Sequence, residues 1–218
     1  MLARAKIDFI ADISCPWCAI ALHALEAALA SLAGRLEADL SFQPFELNPQ
    51  MAASGEDIVE HLGGKYGTDA AQIQRSQELI RARGAEVGFT FDLAKRTRIY
   101  NTFDAHRLLY WAGIEGKQRE LEHALLAAYF TAGRDPSDHG VLLEVAQHVG
   151  LDADRARQIL DSDEYAADVR ALEQLQRDRG IDAVPSIIVG DRYLIQGAQP
   201  VKVFEEILGR LTADSAQH

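Results

Sequence analysis

The motif CPWC at residues 15–18 holds the only two cysteines of this 218-residue chain. Apolar residues alternate over residues 7–13, which predicts a strand, and alanines and leucines fill residues 16–33, which predicts a helix. A helix N-terminus carries partial positive charge and unpaired N–H groups, and both favour a thiolate over a thiol. The sequence therefore predicts that Cys15 begins the helix, is exposed to solvent and ionises readily, whereas Cys18 is shielded. Cys18 would lie one turn inside, where it can attack a disulfide formed at Cys15.

Three simpler interpretations of the cysteine pair are half of a zinc site, a structural disulfide, and two small buried side chains. Zinc takes about four ligands, and the seven histidines include no closely spaced pair that could supply the others. A disulfide that closes so short a loop would add little stability. The strand-to-helix context favours redox chemistry, and the other interpretations stay open at this point.

The composition is that of an ordinary globular protein, with 48% apolar and 25% charged residues. The formal charge of −11 makes nucleic acids and anionic membrane surfaces poor partners. No apolar run is long enough to predict a membrane span. Charged residues interrupt residues 1–12, which argues against a secretory signal and predicts a cytoplasmic protein. In a reducing cytoplasm, a C-x-x-C pair is more often catalytic than structural.

The predicted elements open with a βαβ unit, because residues 39–47 form a second strand candidate after the first helix. The two strands should be parallel and joined by a right-handed crossover. The chain then has helical patterns with almost no strand signal. The predicted helices there cover residues 69–83, 95–112, 115–131, 138–149 and 152–160. Asp161 and Glu164 resemble a capping box for one more helix, which would run to residue 179.

Strand patterns return over residues 186–189 and 193–196, followed by a last helix at about residues 199–211. The dipeptide Val184-Pro185 leads into the first of these strands, where a proline removes a ladder donor. A cis bond would resolve this problem and expose the neighbouring backbone for pairing with an extended substrate.

This order of elements predicts an α/β fold with one sheet built from both ends of the chain. Residues 1–54 and 162–218 would form the sheet domain, and residues 55–161 would form an inserted domain that is entirely helical.

Five stretches of the chain carry a family resemblance. They are CPWC at residues 15–18, PFELNP at 44–49, NTFDAHRL at 101–108, GIDAVPS at 180–186 and GAQP at 197–200. Together they resemble the DsbA-type thiol–disulfide oxidoreductases of the thioredoxin superfamily, and within these the FrnE-like branch. The resemblance implies a thioredoxin-like fold (βαβ … αββα) that carries a large helical insertion.

The resemblance also implies roles for three residues. Cys15 would be the attacking thiolate, Cys18 the resolving thiol, and Pro185 a cis-proline that faces them. The chain departs from the family at residues 19–21, where Ala-Ile-Ala replaces the usual aromatic residue and glycine. Trp17 stands where the most oxidising members have histidine, so we do not expect an extreme fall in the pKa of Cys15.

Four further residues are candidates for substrate binding: Trp17, Val184, Asn101 and His106. Trp17 should be partly exposed beside Cys15 as an apolar contact, with core packing as the competing interpretation. The resemblance places Asn101 and His106 on a helix over the active site, where they would form a lid that favours small disulfides. The simpler interpretation is a helix whose polar face happens to hold a histidine.

The predicted function is thiol–disulfide exchange on protein or small-molecule disulfides, with glutathione as a further candidate partner and no metal or bound organic cofactor. One alternative is a glutathione-dependent isomerase or transferase of the kappa-like (2-hydroxychromene-2-carboxylate isomerase) type. Those relatives usually have a serine at the thiol-activating position and a Ser-Asp pair at the last helix, where this chain has Cys15 and Ala198-Gln199. The other alternative is a non-catalytic, chaperone-like protein.

Asp12 is predicted either to tune the thiol or to close the turn after the first strand.

Overall fold

The computed structural model describes residues 3–52 and 54–215, which form six strands and nine helices. The strands are β1 (Ala3–Ala11), β2 (Leu36–Pro44), β3 (Glu56–Asp57), β4 (Arg98–Ile99), β5 (Ser186–Val189) and β6 (Tyr193–Gln196). The helices are α1 (Pro16–Ser31), α2 (Ile58–Tyr66), α3 (Ala70–Glu86), α4 (Phe103–Ile114), α5 (Gln118–Phe130), α6 (His139–His148), α7 (Ala153–Leu160), α8 (Ala166–Asp178) and α9 (Val201–Ser215).

The main sheet has the strand order β2-β1-β5-β6. Strand β1 runs parallel to β2 and antiparallel to β5, and the β5–β6 hairpin completes the sheet. The predicted βαβ unit and the sheet built from both chain ends are therefore confirmed. Because side chains alternate along a strand, Ile7 and Phe9 enter the main core while Ile10 packs with Ile181 in a smaller cluster.

Helix α1 is surrounded by protein, as its alanine-rich sequence predicts. It begins with Pro16 in the first helical position, where the missing N–H has no helical partner to lose. It packs against α9 and also against α3 and α5 of the middle region. The same continuous core includes Leu22 from α1 and Leu125 from α5. The helical middle of the chain therefore shares a core with the sheet.

The middle region differs from the prediction at its beginning. Helix α2 was not predicted, because the Gly63-Gly64 pair interrupts its pattern, although Asp57 caps it by accepting hydrogen bonds from two backbone N–H groups. The helix predicted for residues 95–112 begins only at Phe103. The residues before it instead form a short antiparallel pair, with Ile99 opposite Glu56. The expectation of an entirely helical insertion is therefore wrong by this one pair of strands.

The predicted capping box before α8 is also wrong. Asp161 is the C-cap of α7, and α8 starts after Tyr165, which has a positive φ of 61°. The Glu164 carboxylate is already paired with Arg155 of α7, so it does not reach back to a helix terminus.

The C-terminal end of α7 is satisfied by Arg107. The buried Arg107 guanidinium donates to backbone carbonyl groups at the end of α7 and in the following turn, and these are acceptors that the helix leaves open.

Edge strand β2 is held from both sides. Gln118 at the start of α5 pairs with the backbone of Phe42, donating to its carbonyl oxygen and accepting from its N–H, each at 3.0 Å. Beyond the strand, Arg170 of α8 bridges the buried carboxylates of Glu46 and Glu173. These contacts fix the segment after β2, and that segment lines the site described next.

No helix in the described ranges is long and apolar enough to cross a membrane.

Candidate functional site

Both cysteines lie where the turn after β1 enters α1. Cys15 is the N-cap of α1, as predicted, with an extended backbone. Its N–H donates to the Asp12 carbonyl oxygen at 3.0 Å, and the Cys18 N–H donates to the Cys15 carbonyl oxygen at 3.1 Å. Both thiols are free. The local turn therefore brings the Cys15 sulfur to the N-terminus of the helix and keeps Cys18 one turn behind it.

The environments of the two thiols push their pKa values in opposite directions. The pKa of Cys15 is lowered, chiefly by a hydrogen bond from the Cys18 thiol and further by the N–H groups of Cys18 and Trp17, against the opposing effect of burial. The pKa of Cys18 is raised well above its usual value by burial and by the neighbouring Cys15 sulfur. Cys15 therefore has the environment of a nucleophilic thiolate, and Cys18 has that of a thiol that keeps its proton.

One expectation about Cys15 is wrong, because its side chain is not exposed to bulk solvent. Only 4% of Cys15 is accessible, against 0% of Cys18. Although both thiols are buried, Cys15 lines a cavity, and Cys18 is not among the residues that line it. A local motif cannot indicate this burial, since the cover comes from α2 and α3, which lie more than forty residues along the chain.

The C-terminal part of the chain contacts the Cys15 side chain. The Val184–Pro185 peptide bond is cis, as predicted. The Cys15 thiol points at the Val184 carbonyl oxygen, with 3.7 Å between sulfur and oxygen across 169 positions of sequence. The Pro185 carbonyl oxygen accepts a hydrogen bond from the Gly197 N–H at 2.8 Å. The cysteine motif and the Val184-Pro185 dipeptide therefore form one site.

A cavity of about 170 Å³ opens beside Cys15. Trp17, which is half-buried as expected, lines it together with the segment after β2 and two helices of the middle region. The other lining residues are Ser14, Pro16, Leu47, Asn48, Ile58, His61, Leu62, Lys65, Tyr66, Ile73, Ser76, Gln77, Ile80, Arg96 and Ile99. The cover over the thiol is therefore built mainly by α2 and α3.

Asn101 and His106 do not line this cavity, so the lid predicted from them is wrong. Asn101 precedes α4, where it accepts a hydrogen bond from the Phe103 N–H at 2.9 Å and donates to Glu46 at 3.4 Å. His106 is on α4 but points inward, with 4% of the residue accessible. Helix α4 packs on β2 and its neighbouring helices, so a polar residue on it can face the interior.

His106 belongs to a buried polar cluster beneath the cysteines. Asp12 accepts hydrogen bonds from the N–H groups of Ser14 at 2.9 Å and Leu47 at 2.7 Å. His106 Nε2 lies 3.8 Å from Asp12 Oδ1, which is an ion-pair distance but too long for a hydrogen bond. Burial acts to raise the pKa of Asp12, but His106 and the two N–H groups together lower it. Asp12 therefore closes the turn after β1, which was one of the two roles predicted for it.

Glu122 of α5 completes this cluster. It lines a cavity of about 20 Å³ with His106, which is room for about one water molecule. Burial raises the pKa of Glu122 to about 7, and its Oε1 has no hydrogen-bond partner. Glu122 belongs to a run of charged residues at positions 115–122, and such a run predicts a solvated helix face. The structure instead buries it.

Sequence reasoning also missed the two cations in the cavity wall. Lys65 lies on α2, whose existence was not predicted, and Arg96 lies in a stretch that was predicted to be helical. The apolar spacing of Ile58 and Leu62 behind the capping residue Asp57 is the signal that could have identified α2. No sequence signal marks Arg96, because its place in the site depends on the whole fold.

The opposed pKa shifts predict the reactivity of the two thiols. We expect iodoacetamide to alkylate Cys15 before Cys18 in the reduced protein, with a pH midpoint for Cys15 below that of an unperturbed thiol. The check is peptide mass spectrometry after timed labelling from acidic to mildly alkaline pH, with a small peptide thiol as the reference. Prior alkylation of Cys18, or a Cys15 midpoint equal to that of the reference, would contradict the assigned roles.

Within residues 3–52 and 54–210, no three histidine, cysteine or acidic side chains come together in a way that could hold a metal ion.

Comparison with known families gives one match that covers nearly the whole chain. Residues 6–209 match the DSBA-like thioredoxin domain family. A curated relative, the uncharacterised protein YwbO of Bacillus subtilis (strain 168), is 24% identical over 203 residues, which cover 93% of this chain and 94% of YwbO.

Two solved structures show the same fold. A probable DsbA oxidoreductase from Streptomyces coelicolor is 31% identical, with a TM-score of 0.87 over 95% of this chain and 89% of that chain. A 2-hydroxychromene-2-carboxylate isomerase is 16% identical, with a TM-score of 0.70 over 97% of this chain and 98% of that chain. The second likeness concerns the fold alone.

Proposed function

This chain belongs to the DsbA-like thioredoxin-domain family, and on that premise we propose that it is an enzyme of thiol–disulfide exchange that works through Cys15 and Cys18. The observation that carries the proposal is the opposed tuning of the two thiols. Cys15 has a lowered pKa and lies on the cavity, while Cys18 has a raised pKa and lies behind it. A nucleophile and a resolving thiol need this difference.

The proposed reaction has two steps. The Cys15 thiolate attacks one sulfur of a substrate disulfide, which forms a mixed disulfide and releases the other half of the substrate as a thiolate. Cys18 then loses its proton and attacks the Cys15 sulfur, which releases the second half and leaves a Cys15–Cys18 disulfide. Two electrons pass from the enzyme to the substrate, and an external thiol reductant restores the dithiol.

The remaining site residues are proposed to hold the substrate. The Val184 carbonyl oxygen, 3.7 Å from the Cys15 sulfur, is placed to accept a backbone N–H from an extended substrate. Pro185 would hold that carbonyl in place, and Trp17 would supply an apolar wall. We propose neither Asn101 nor His106 as a substrate contact, because both are engaged away from the cavity.

We also propose a division of labour along the chain. Residues 1–54 and 162–218 would form the thioredoxin-like unit that carries the chemistry, and residues 55–161 would form the insertion that covers it. Residues 1–2, 53 and 216–218 lie outside the described residues. The contribution of α2 and α3 to the cavity wall supports this division. Membership of the FrnE-like branch and a cytoplasmic location remain predictions from the sequence.

The test of the proposed function is catalysed disulfide reduction. We expect the protein to accelerate the reduction of both insulin and a small uncharged disulfide by dithiothreitol, and to lose this activity after alkylation of Cys15. Absence of catalysis on both substrates would contradict the proposal. If the alkylated protein still prevented aggregation of an unfolded protein, the chaperone alternative would be favoured. Glutathione-dependent isomerisation of a hydroxychromene carboxylate would favour the isomerase alternative.

A further inference from the structure

The wall of the cavity beside Cys15 is positively charged, although the protein as a whole is acidic. The chain has 33 acidic against 22 basic residues, yet the described residues that line this cavity include Lys65, Arg96 and His61 and no carboxylate. His61 is already paired, with Nδ1 2.6 Å from Glu56 Oε2. Lys65 and Arg96 are therefore the two cations whose charge is open to a ligand.

Arg96 is a buried cation without a carboxylate partner in the described part of the chain. Only 8% of the residue is accessible. Its guanidinium donates to the Ser14 carbonyl oxygen at 3.1 Å and lies 4.9 Å from the ring of Tyr129 and 5.0 Å from that of Phe130. Its Nε is buried and has no hydrogen-bond partner. One carbonyl and two aromatic faces offset only part of the cost of burying a guanidinium. An anion in the cavity would offset much of the remainder.

Lys65 adds a second positive charge at the exposed side of the cavity. Its Nζ donates to the Leu47 carbonyl oxygen at 2.8 Å and to Asn48 Oδ1 at 2.6 Å. Both acceptors are neutral, so these bonds orient the ammonium group without cancelling its charge. The two cations therefore approach the cavity from α2 and from the segment just before β4.

Neither cation donates a hydrogen bond to the Cys15 sulfur in the described part of the chain: that sulfur lies 3.7 Å from the Val184 carbonyl oxygen, and the two cations bind backbone carbonyl groups and Asn48. The size of the cavity points to a small ligand. About 170 Å³ is room for roughly six water molecules at about 30 Å³ each, which suits a small molecule better than a loop of a folded protein. Ile58, Leu62 and Ile80 add apolar surface to the wall, beside the neutral polar side chains of Asn48, Ser76 and Gln77.

We infer that this cavity binds a low-molecular-weight disulfide that carries a carboxylate. Arg96 binds the carboxylate, Lys65 supplies further positive charge at the entrance, and Cys15 receives the sulfur. The inference rests on the proposed function, since it names the substrate class for the same thiol pair. One half of the ligand becomes disulfide-bonded to Cys15 while the other half leaves as a thiolate, and Cys18 then releases the first half as described above.

The test compares three small disulfides that differ in charge: dithiodipropionate (anionic), hydroxyethyl disulfide (neutral) and cystamine (cationic). The second-order rate constant for oxidation of the reduced protein is measured with each by mass spectrometry. Each value is divided by the rate constant for free dithiothreitol with the same compound, which removes intrinsic reactivity. We expect the normalised rate to fall in the order anionic, neutral, cationic, with a preference of roughly tenfold or more for the anion over the neutral compound.

Two variants locate the preference. Arg96→Met should remove most of this preference and bring the anionic-to-neutral ratio down by roughly tenfold, because a charge-assisted hydrogen bond to the carboxylate is lost. Arg96→Lys, which keeps the charge, should restore part of the ratio. Lys65→Met should reduce the ratio several-fold. The matched control is Arg4→Met, which removes one positive charge at the opposite end of β1 and should leave all three rates unchanged.

The outcomes separate the inference from the proposed function. Failure to react with any of the three disulfides and with insulin would overturn the proposed function itself, whereas failure with the three small disulfides alone would overturn only the inference. Reaction with all three at equal normalised rates would overturn only the inference. An equal loss on all three disulfides in Arg96→Met would also overturn it, because Arg96 would then act on the thiol or on the fold. If Arg96→Met does not fold, Lys65→Met decides: an unchanged ratio overturns the inference and a reduced ratio supports it.

Discussion

Serine in place of Cys18 is expected to leave the first step of the reaction intact and to stop the second. The Cys15 thiolate would still attack a disulfide, but the mixed disulfide could not be resolved from within the protein. We expect turnover to fall by at least roughly a thousandfold, and the adduct to accumulate at one equivalent per chain. Mass spectrometry of Cys18→Ser after exposure to a small disulfide measures the adduct, and reduction of the adduct should regenerate the free thiol.

Cys15→Ser is the matched control for this experiment. It should lose turnover to a similar extent and form little adduct, because Cys18 is fully buried and burial, the largest cause of its raised pKa, remains in this variant. The comparison therefore reports on the order of attack as well as on activity. Rapid adduct formation at Cys18 in Cys15→Ser, and none at Cys15 in Cys18→Ser, would exchange the two roles.

Glutamine in place of Glu122 is expected to change how stability depends on pH. An unfolded glutamate titrates near 4.3, whereas burial raises the pKa of Glu122 to about 7 in the folded protein. Between these values the folded chain holds a proton that the unfolded chain releases. The stabilisation is therefore complete below the unfolded pKa and is lost as the pH rises through about 7.

For the wild type this loss amounts to about 3 kcal/mol between about pH 4 and about pH 8, a large share of the stability of a typical domain. Glu122→Gln has no proton to lose there, so its free energy of unfolding relative to wild type should rise by that amount over the same range. Urea unfolding at several pH values measures the difference.

Glu120→Gln, at an exposed position of the same helix, is the control, and its free energy of unfolding relative to wild type should change little with pH. A constant difference between Glu122→Gln and wild type at every pH would contradict the prediction, because it would show that the pKa of Glu122 is the same in the folded and unfolded states.

The local sequence predicted those parts of the site that depend on neighbouring residues. Alternating apolar residues, a proline at the first helical position and an alanine-rich segment together predict a strand, a turn and a helix, and Cys15 is consequently the N-cap. The proline before β5 likewise predicted where the second half of the site begins. These features depend on contacts within a few residues, so the chain alone contains the information.

The tertiary structure decided what surrounds the thiols. Cys15 is covered by α2 and α3, His106 turns inward towards Asp12, and Arg96 reaches the Ser14 carbonyl oxygen across 82 positions of sequence. Hydrophobic periodicity indicates which face of a helix is buried, but not which partner covers it. The motif could therefore predict a reactive cysteine pair, whereas the burial of Cys15 and the positive charge of its cavity follow only from the packing of distant segments.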